Sequence, residues 1–314
     1  MITAPQNRVD DAIADSLPSP INHLRIPFVI VLAGLLSTVA VFGHAQNTPQ
    51  QVQSAVTNTD APTAVTPASE QPKSVDVHDA QNPVAGLISI PLQGNTYFNY
   101  GPYRRTADVL VLEPVIPFRL SENWNLIVRA ITPLVYEPRV SPNQDSRFGL
   151  GNLQPQFYLS PAHPGKLFWG LGPQLWLPTA TDKTLGVNKW GGGPAVAALT
   201  IRGPWVVGTL ANNQWAGSGR DRVNQLSLNP FADYNLPKGW YFISSGIMTA
   251  DWTKSTDRWT VPIGGGVGRL FKIGILPVNA RVQLLNNVVR PNFAPTWQLQ
   301  YQVQFLFPAG YMKK

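Results

Sequence analysis

A chain of 314 residues with a formal charge of +7 has room for two ordinary domains or one large all-β domain. Only 13% of its residues are Asp, Glu, Lys or Arg, against ~25% in a soluble domain, yet its mean hydropathy is only -0.06. That balance excludes a helical membrane protein, which needs runs of ~20 apolar residues, and the lack of any Lys/Arg cluster excludes nucleic acid as a partner.

In chain order, the first feature is the apolar stretch IPFVIVLAGLLSTVAVF at 26–42, preceded by His23 and Arg25 and followed by Gly43-His44-Ala45. Small residues at the two positions that a signal peptidase reads predict a secretory signal over 1–45, with a long leader, cleaved after Ala45; the alternative is a membrane-anchoring helix, for which these 17 residues are marginal. Residues 46–82 are rich in Gln, Ala, Thr, Val, Pro and Ser and contain no aromatic residue. Such a segment cannot bury enough apolar surface to offset the entropy of ordering, so it is expected to be a disordered periplasmic linker. The alternative is a segment threaded into a lumen.

From residue 84 onward the pattern has period two. The segments Trp124–Ala130, Asn152–Leu159, Gln225–Asp233 and Val278–Leu284 each alternate apolar and polar residues. The last segment is the clearest: Trp297, Leu299, Tyr301, Val303, Phe305 and Phe307 alternate with Gln298, Gln300, Gln302 and Gln304. A strand puts these two sets on opposite faces, whereas a helix would scatter them. Trp205 and Trp215 lie ten residues apart, and Trp240 and Trp252 twelve apart, so each pair can mark the two interfaces of a bilayer. Twelve strands are predicted, near 88–98, 107–119, 124–136, 150–160, 167–178, 190–202, 204–215, 224–235, 240–252, 258–271, 277–289 and 296–307. Short and long connections alternate between them. The expected fold is therefore all-β: an antiparallel transmembrane β-barrel over 83–308 with a C-terminal tail at 309–314. Prolines 114, 133, 155, 173, 194, 230 and 262 run against this map, because each removes a ladder donor.

The phrases NPVAGLISIPLQ, VLEPVIPFRLSENWNLIVRAITPLVYEP, GLGNLQPQFYLSP, FWGLGPQLWLPTATD, KWGGGP and GPWVVGTLANNQW resemble the outer-membrane transporter family named for the MetA pathway of phenol degradation. The same family carries the label "neuromedin U" in bacterial sequences. The resemblance covers essentially the whole barrel. It implies a Gram-negative outer-membrane location and import of aromatic or other apolar compounds. The end of the chain resembles the terminal strand that the barrel-assembly machinery recognises, with Phe307 in the place of the final aromatic.

Chemistry is sparse. Cysteine is absent, which removes thiolate metal sites and thiol nucleophiles. His163 lies in a predicted turn without an identifiable Ser and acid partner, and the Gly191–Gly193 run lacks the Lys-Ser/Thr ending of a phosphate loop. No enzyme activity, cofactor or metal is expected. By alternation the lumen candidates are Glu113, Arg129, Gln154, Gln156, Gln174, Asn212, Gln214, Asn229, Asp233, Arg281, Gln283, Gln298, Gln300, Gln302 and Gln304. Glu113 and Arg129 are expected to pair across neighbouring strands. Tyr158, Phe168, Trp176 and Phe231 also point inward by phase, as stations for an aromatic solute or as filling. The partners are outer-membrane lipid, the assembly machinery and a small-molecule solute. The leading expectation is a channel; a sealed structural or surface-interaction barrel and a membrane-embedded hydrolase are the alternatives.

Overall fold

The computed structural model describes residues 75–219 and 222–307. The expected signal segment, most of the linker and the C-terminal tail lie outside the described residues.

Fifteen strands are present: β1 (Ile88–Tyr100), β2 (Arg105–Leu112), β3 (Val115–Arg119), β4 (Trp124–Glu137), β5 (Arg147–Leu150), β6 (Gln154–Pro161), β7 (Leu167–Trp176), β8 (Gly191–Arg202), β9 (Trp205–Ala216), β10 (Val223–Asn235), β11 (Trp240–Ser245), β12 (Met248–Asp251), β13 (Trp259–Ile273), β14 (Leu276–Val289) and β15 (Trp297–Phe307). Three spans are each built from two strands, β2 with β3, β5 with β6 and β11 with β12, which leaves twelve antiparallel spans. The last strand pairs with the first along its whole length, from Ile88 opposite Phe307 to Phe98 opposite Trp297, so the cylinder closes without an edge. An even number of spans puts both ends of the described barrel at one rim, where the connections at 120–123, 162–166, 203–204, 236–239 and 274–275 are short. Short turns mark the periplasmic side, and the longer loops at 138–146 and 177–190 lie at the other end.

The prolines are accommodated in particular ways. Pro114 falls in the break between β2 and β3, but the register survives it: Leu92 opposes Leu112 and Ser89 opposes Val115. Pro262 sits where the β13–β14 register shifts by one residue. Pro173 and Pro194 face each other across β7 and β8, pairing two residues that lack donors. A bulge at residues 151–153 shifts the β4 register, so that β5 pairs Leu134 with Leu150 while β6 pairs Ile131 with Gln154.

The outer surface is apolar, with aromatic residues at both rims. Trp124, Trp205 and Trp240 are exposed at the rim of the termini, and Trp215, Trp252, Trp259 and Trp297 at the other. Exposed Leu112, Leu159, Leu171, Val207, Ile263, Val282 and Leu284 occupy the band between them. Trp124 meets Trp169, Trp205 meets Tyr234 and Trp252 meets Trp259 edge to face, with ring centroids 4.8–6.0 Å apart. A closed sheet with a greasy belt, two aromatic girdles and a polar interior is an outer-membrane barrel embedded in lipid.

One boundary needs correcting. Residues 75–82, expected as the end of a disordered linker, form an ordered turn containing the short helix α1 (Val77–Gln81). Asp76 caps it: its carboxylate accepts from the Val77 N–H at 2.6 Å, while the Asp79 side chain reaches back to the Asp76 N–H. The last residue of α1 anchors the helix to the inside of the barrel, where Gln81 and Asn235 exchange two amide hydrogen bonds of 3.0 Å. Five residues cannot hold a helix in water on propensity alone, so packing against the wall supplies the order.

Candidate functional site: the lumen

Every polar candidate named from alternation falls on the inner phase of its span. The four glutamines of β15 are 4–9% exposed, against 43% for Trp297 on the outer face of the same strand. Gln156, Gln174, Gln214, Asp233 and Gln283 are equally buried.

These side chains are knitted into two groups. In the first, Arg129 Nη2 donates to Glu113 Oε2 at 2.5 Å, forming the expected pair, and Arg129 Nη1 donates to Gln156 Oε1 at 3.2 Å. The Tyr158 hydroxyl donates to the same oxygen, Gln156 donates to Gln174, and Gln154 accepts from both Gln174 and Gln214. This chain runs from the link between β2 and β3 to β9. In the second group, Arg281 Nη2 donates to Gln302 at 2.8 Å and to Gln93 at 3.2 Å. Gln283 donates to Gln300, Gln300 to Asn95, Ser245 to Asn229, and Gln298 to Asn287. Asn212 Oδ1 is buried without a partner among the described residues. Sequence reasoning missed Gln93, Asn95, Tyr241, Ser245, Asn279 and Asn287. The signal was present for the first two, because Gln93 and Asn95 oppose Gln302 and Gln300 in the ladder that closes the barrel.

The aromatic candidates serve mainly as filling. Tyr158 and Phe231 are buried in an apolar cluster with Val84, Val115, Ile127, Leu199 and Val206, and Phe168 packs against it. Val84 comes from the segment after α1, so this cluster narrows the periplasmic half of the lumen. Trp176 is buried near the opposite rim, and its Nε1 has no partner among the described residues.

A second constriction lies towards the outer end. Loop 177–190 folds inward and places Leu185 against Val109, Val111 and Val135, with Tyr97 and Ile131 alongside. Asn152 is the fulcrum of this loop. Its amide donates to the Leu177 and Val187 carbonyls, and its oxygen accepts from the Val187 N–H at 2.6 Å. Asp182 shapes the tip by accepting from the Thr184 N–H and hydroxyl, both at 2.9 Å, and faces Arg147 at 3.4 Å. The Thr184 N–H holds the Asp182 carboxyl below its ordinary value, with the Thr184 hydroxyl and Arg147 adding to the effect. A depressed acid contributes its order above the unfolded pKa and loses it as pH falls through the lower folded value. A nitroxide attached through Lys183→Cys should therefore gain mobility as pH drops from about 5 to about 2. In an Asp182→Asn background the label should be equally mobile at both ends; a spectrum that follows pH in that background would refute the assignment.

The family model described as "Putative MetA-pathway of phenol degradation" matches residues 94–303, more than half of the chain. The chain belongs to this family. Among solved structures, an outer-membrane channel from Pseudomonas putida F1 is similar at a TM-score of 0.54 and 16% identity, covering 78% of this chain and 100% of that one. At that identity the likeness establishes the barrel fold. The KdgM porin bound to disordered oligogalacturonate (TM-score 0.37, 12% identity, 70% of this chain and 98% of that one) lies farther off. So does outer membrane phospholipase A from Escherichia coli (TM-score 0.38, 13% identity, 78% of this chain and 94% of that one). At these scores neither bears on what this chain does. No curated protein matches.

Proposed function

We propose that this family member is a non-catalytic outer-membrane channel that passes small solutes through its lumen. The observation that carries the reading is the interior itself: a charged and amide-lined waist between two apolar constrictions, each completed by an element outside the barrel wall. A barrel built only for strength could fill its lumen from its own wall. Here the two narrowings are completed by Val84 of the segment after α1 and by Leu185 of an inward-folded loop, the parts that can move without breaking the sheet. The family description and the printed name of the Pseudomonas putida structure agree with this, and the former favours aromatic or apolar cargo. The hydrolase alternative has little to stand on, since His163 is exposed in the turn 162–166. Insertion of the barrel would follow recognition of β15 by the assembly machinery.

Two narrowings also suit a sealed barrel, and permeability separates the two. The full chain, reconstituted in liposomes, should admit a neutral pentose slowly. Trimming either constriction, by Leu185→Ala or Val84→Ala, should raise the swelling rate several-fold. Such truncations remove ~1–5 kcal/mol of packing, enough to free a loop or strap but not to unfold a closed barrel. Liposomes that stay impermeable with the wild type and both variants would leave the sealed barrel as the answer.

A further inference from the structure

Between residues 79–87 and the wall lies a cavity of about 130 Å³. Glu113, Arg129, Asp233 and Arg281 are among the side chains that line it. Glu113 and Arg129 satisfy each other at 2.5 Å. Asp233 and Arg281, which line the same cavity, are left incomplete. The Asp233 side chain belongs to a residue only 3% exposed, and its Oδ1 has no hydrogen-bond partner among the described residues. Arg281 spends Nη2 on Gln93 and Gln302, while its buried Nε has no partner among the described residues. A buried carboxylate oxygen and a buried guanidinium N–H, both unmet, each cost free energy unless something supplies the missing bonds.

Amide and hydroxyl side chains, among them Gln93, Asn229, Asn279 and Ser245, make up most of the rest of the lining, and Asp79 adds a third carboxyl. Phe231 and Val115, members of the buried apolar cluster, form part of the wall, with Leu210 beside them. A cavity of ~150 Å³ can hold one benzene ring, so this one has room for a single ring between its apolar and its polar lining. Guanidinium is the preferred partner of a carboxylate, and a carboxylate accepts from a hydroxyl or an ammonium.

We infer that this cavity is a binding station for a monocyclic carboxylic acid bearing one hydrogen-bond donor, with its carboxylate on Arg281, its donor on Asp233 and its ring against Phe231. The inference rests on the channel reading and narrows it: the cargo carries charge as well as an apolar body. Discrimination of this kind is strong where a site leaves buried polar groups unpaired with the wrong ligand.

The test uses the full chain folded in nanodiscs, titrated calorimetrically with 4-hydroxybenzoate and with benzoate and phenol as ligands that each lack one handle. 4-Hydroxybenzoate should bind about tenfold more tightly than either, the expected scale of one hydrogen bond to a charged group. Asp233→Asn should reduce its advantage over benzoate, and Arg281→Gln its advantage over phenol. Equal affinities for the three ligands in the wild type overturn the inference, and that comparison holds even if a variant fails to fold. So does an advantage that neither substitution alters. Pentose flux through the same preparation keeps the two claims apart. Flux without ligand preference leaves the channel and removes the station; preference without flux keeps the station and removes the channel.

Discussion

Arg129→Ala should lower the stability of the folded barrel by about 3–5 kcal/mol, more than any loop substitution, because it strands a buried carboxylate. The Glu113 side chain is 13% exposed and that of Arg129 is 19% exposed, so bulk water does little to solvate either charge. Without the guanidinium, Glu113 loses its ion partner, and Gln156 loses one of the two donors that hold its oxygen. The effect should spread along the chain of amides to Gln174 and Gln154. Glu113→Gln combined with Arg129→Met should recover most of the loss, since removing both charges removes the desolvation penalty with the attraction. Urea unfolding of the wild type and the two variants in liposomes measures this. If the double variant is as unstable as the single one, the pair is a rim contact of small worth and the buried-charge account fails. The same variants report on transport: a waist without this ion pair should change its ion selectivity while keeping pentose flux.

What the residues disclosed in advance follows from which physical signals are local. Period two is local, and β15 shows it most clearly because four glutamines cannot face lipid. The twelve spans and the inward phase of Arg129, Asp233 and Arg281 follow from the same alternation. The register survives Pro114 because Pro91 and Glu113 stay aligned, the Glu113 N–H donating to the Pro91 carbonyl at 3.0 Å. Sequence shows the proline and hides the alignment. The two constrictions were far less legible. Leu185 is one leucine in the polar run TDKTLGVNK, and nothing local says that it turns inward to meet Val111 and Val135. Helix α1 is too short to show a hydrophobic stripe; only the spacing of Asp76 and Asp79 hints at a cap. Both depend on a wall that the rest of the chain must build first, so neither is written in its own neighbourhood. Tyr241 was missed because the space it fills is created elsewhere. A Cβ on Gly268 would lie 2.1 Å from the Tyr241 ring, so glycine there makes room for the ring whose hydroxyl donates to Asn279.

Gly266→Ala should be among the most damaging single methyls that can be added to the barrel wall. A Cβ at Gly266 would lie 1.9 Å from the carbonyl oxygen of Val282 and 2.5 Å from Gln283 Cα, both main-chain atoms of the neighbouring strand β14. A side-chain tip could swing away, but a ladder partner cannot: β13 and β14 are hydrogen-bonded from Pro262 opposite Asn287 to Ile273 opposite Leu276. Relief requires bowing β13 out of the sheet, and that also displaces Gln283, whose amide bridges the Ser245 carbonyl and Gln300. Close backbone approach is one reason a strand interior keeps glycine against its intrinsic cost. The loss should exceed about 4 kcal/mol, at the far end of what one substitution does. Gly86→Ala is the matched control. Nothing lies within 4 Å of a Cβ there, so the change should stay within about 0.5 kcal/mol. Refolding yield and the urea midpoint of the two variants, prepared side by side, decide the matter. A Gly266→Ala barrel that folds as well as Gly86→Ala would mean that β13 yields without cost, and the tight β13–β14 seam described here would have to be given up.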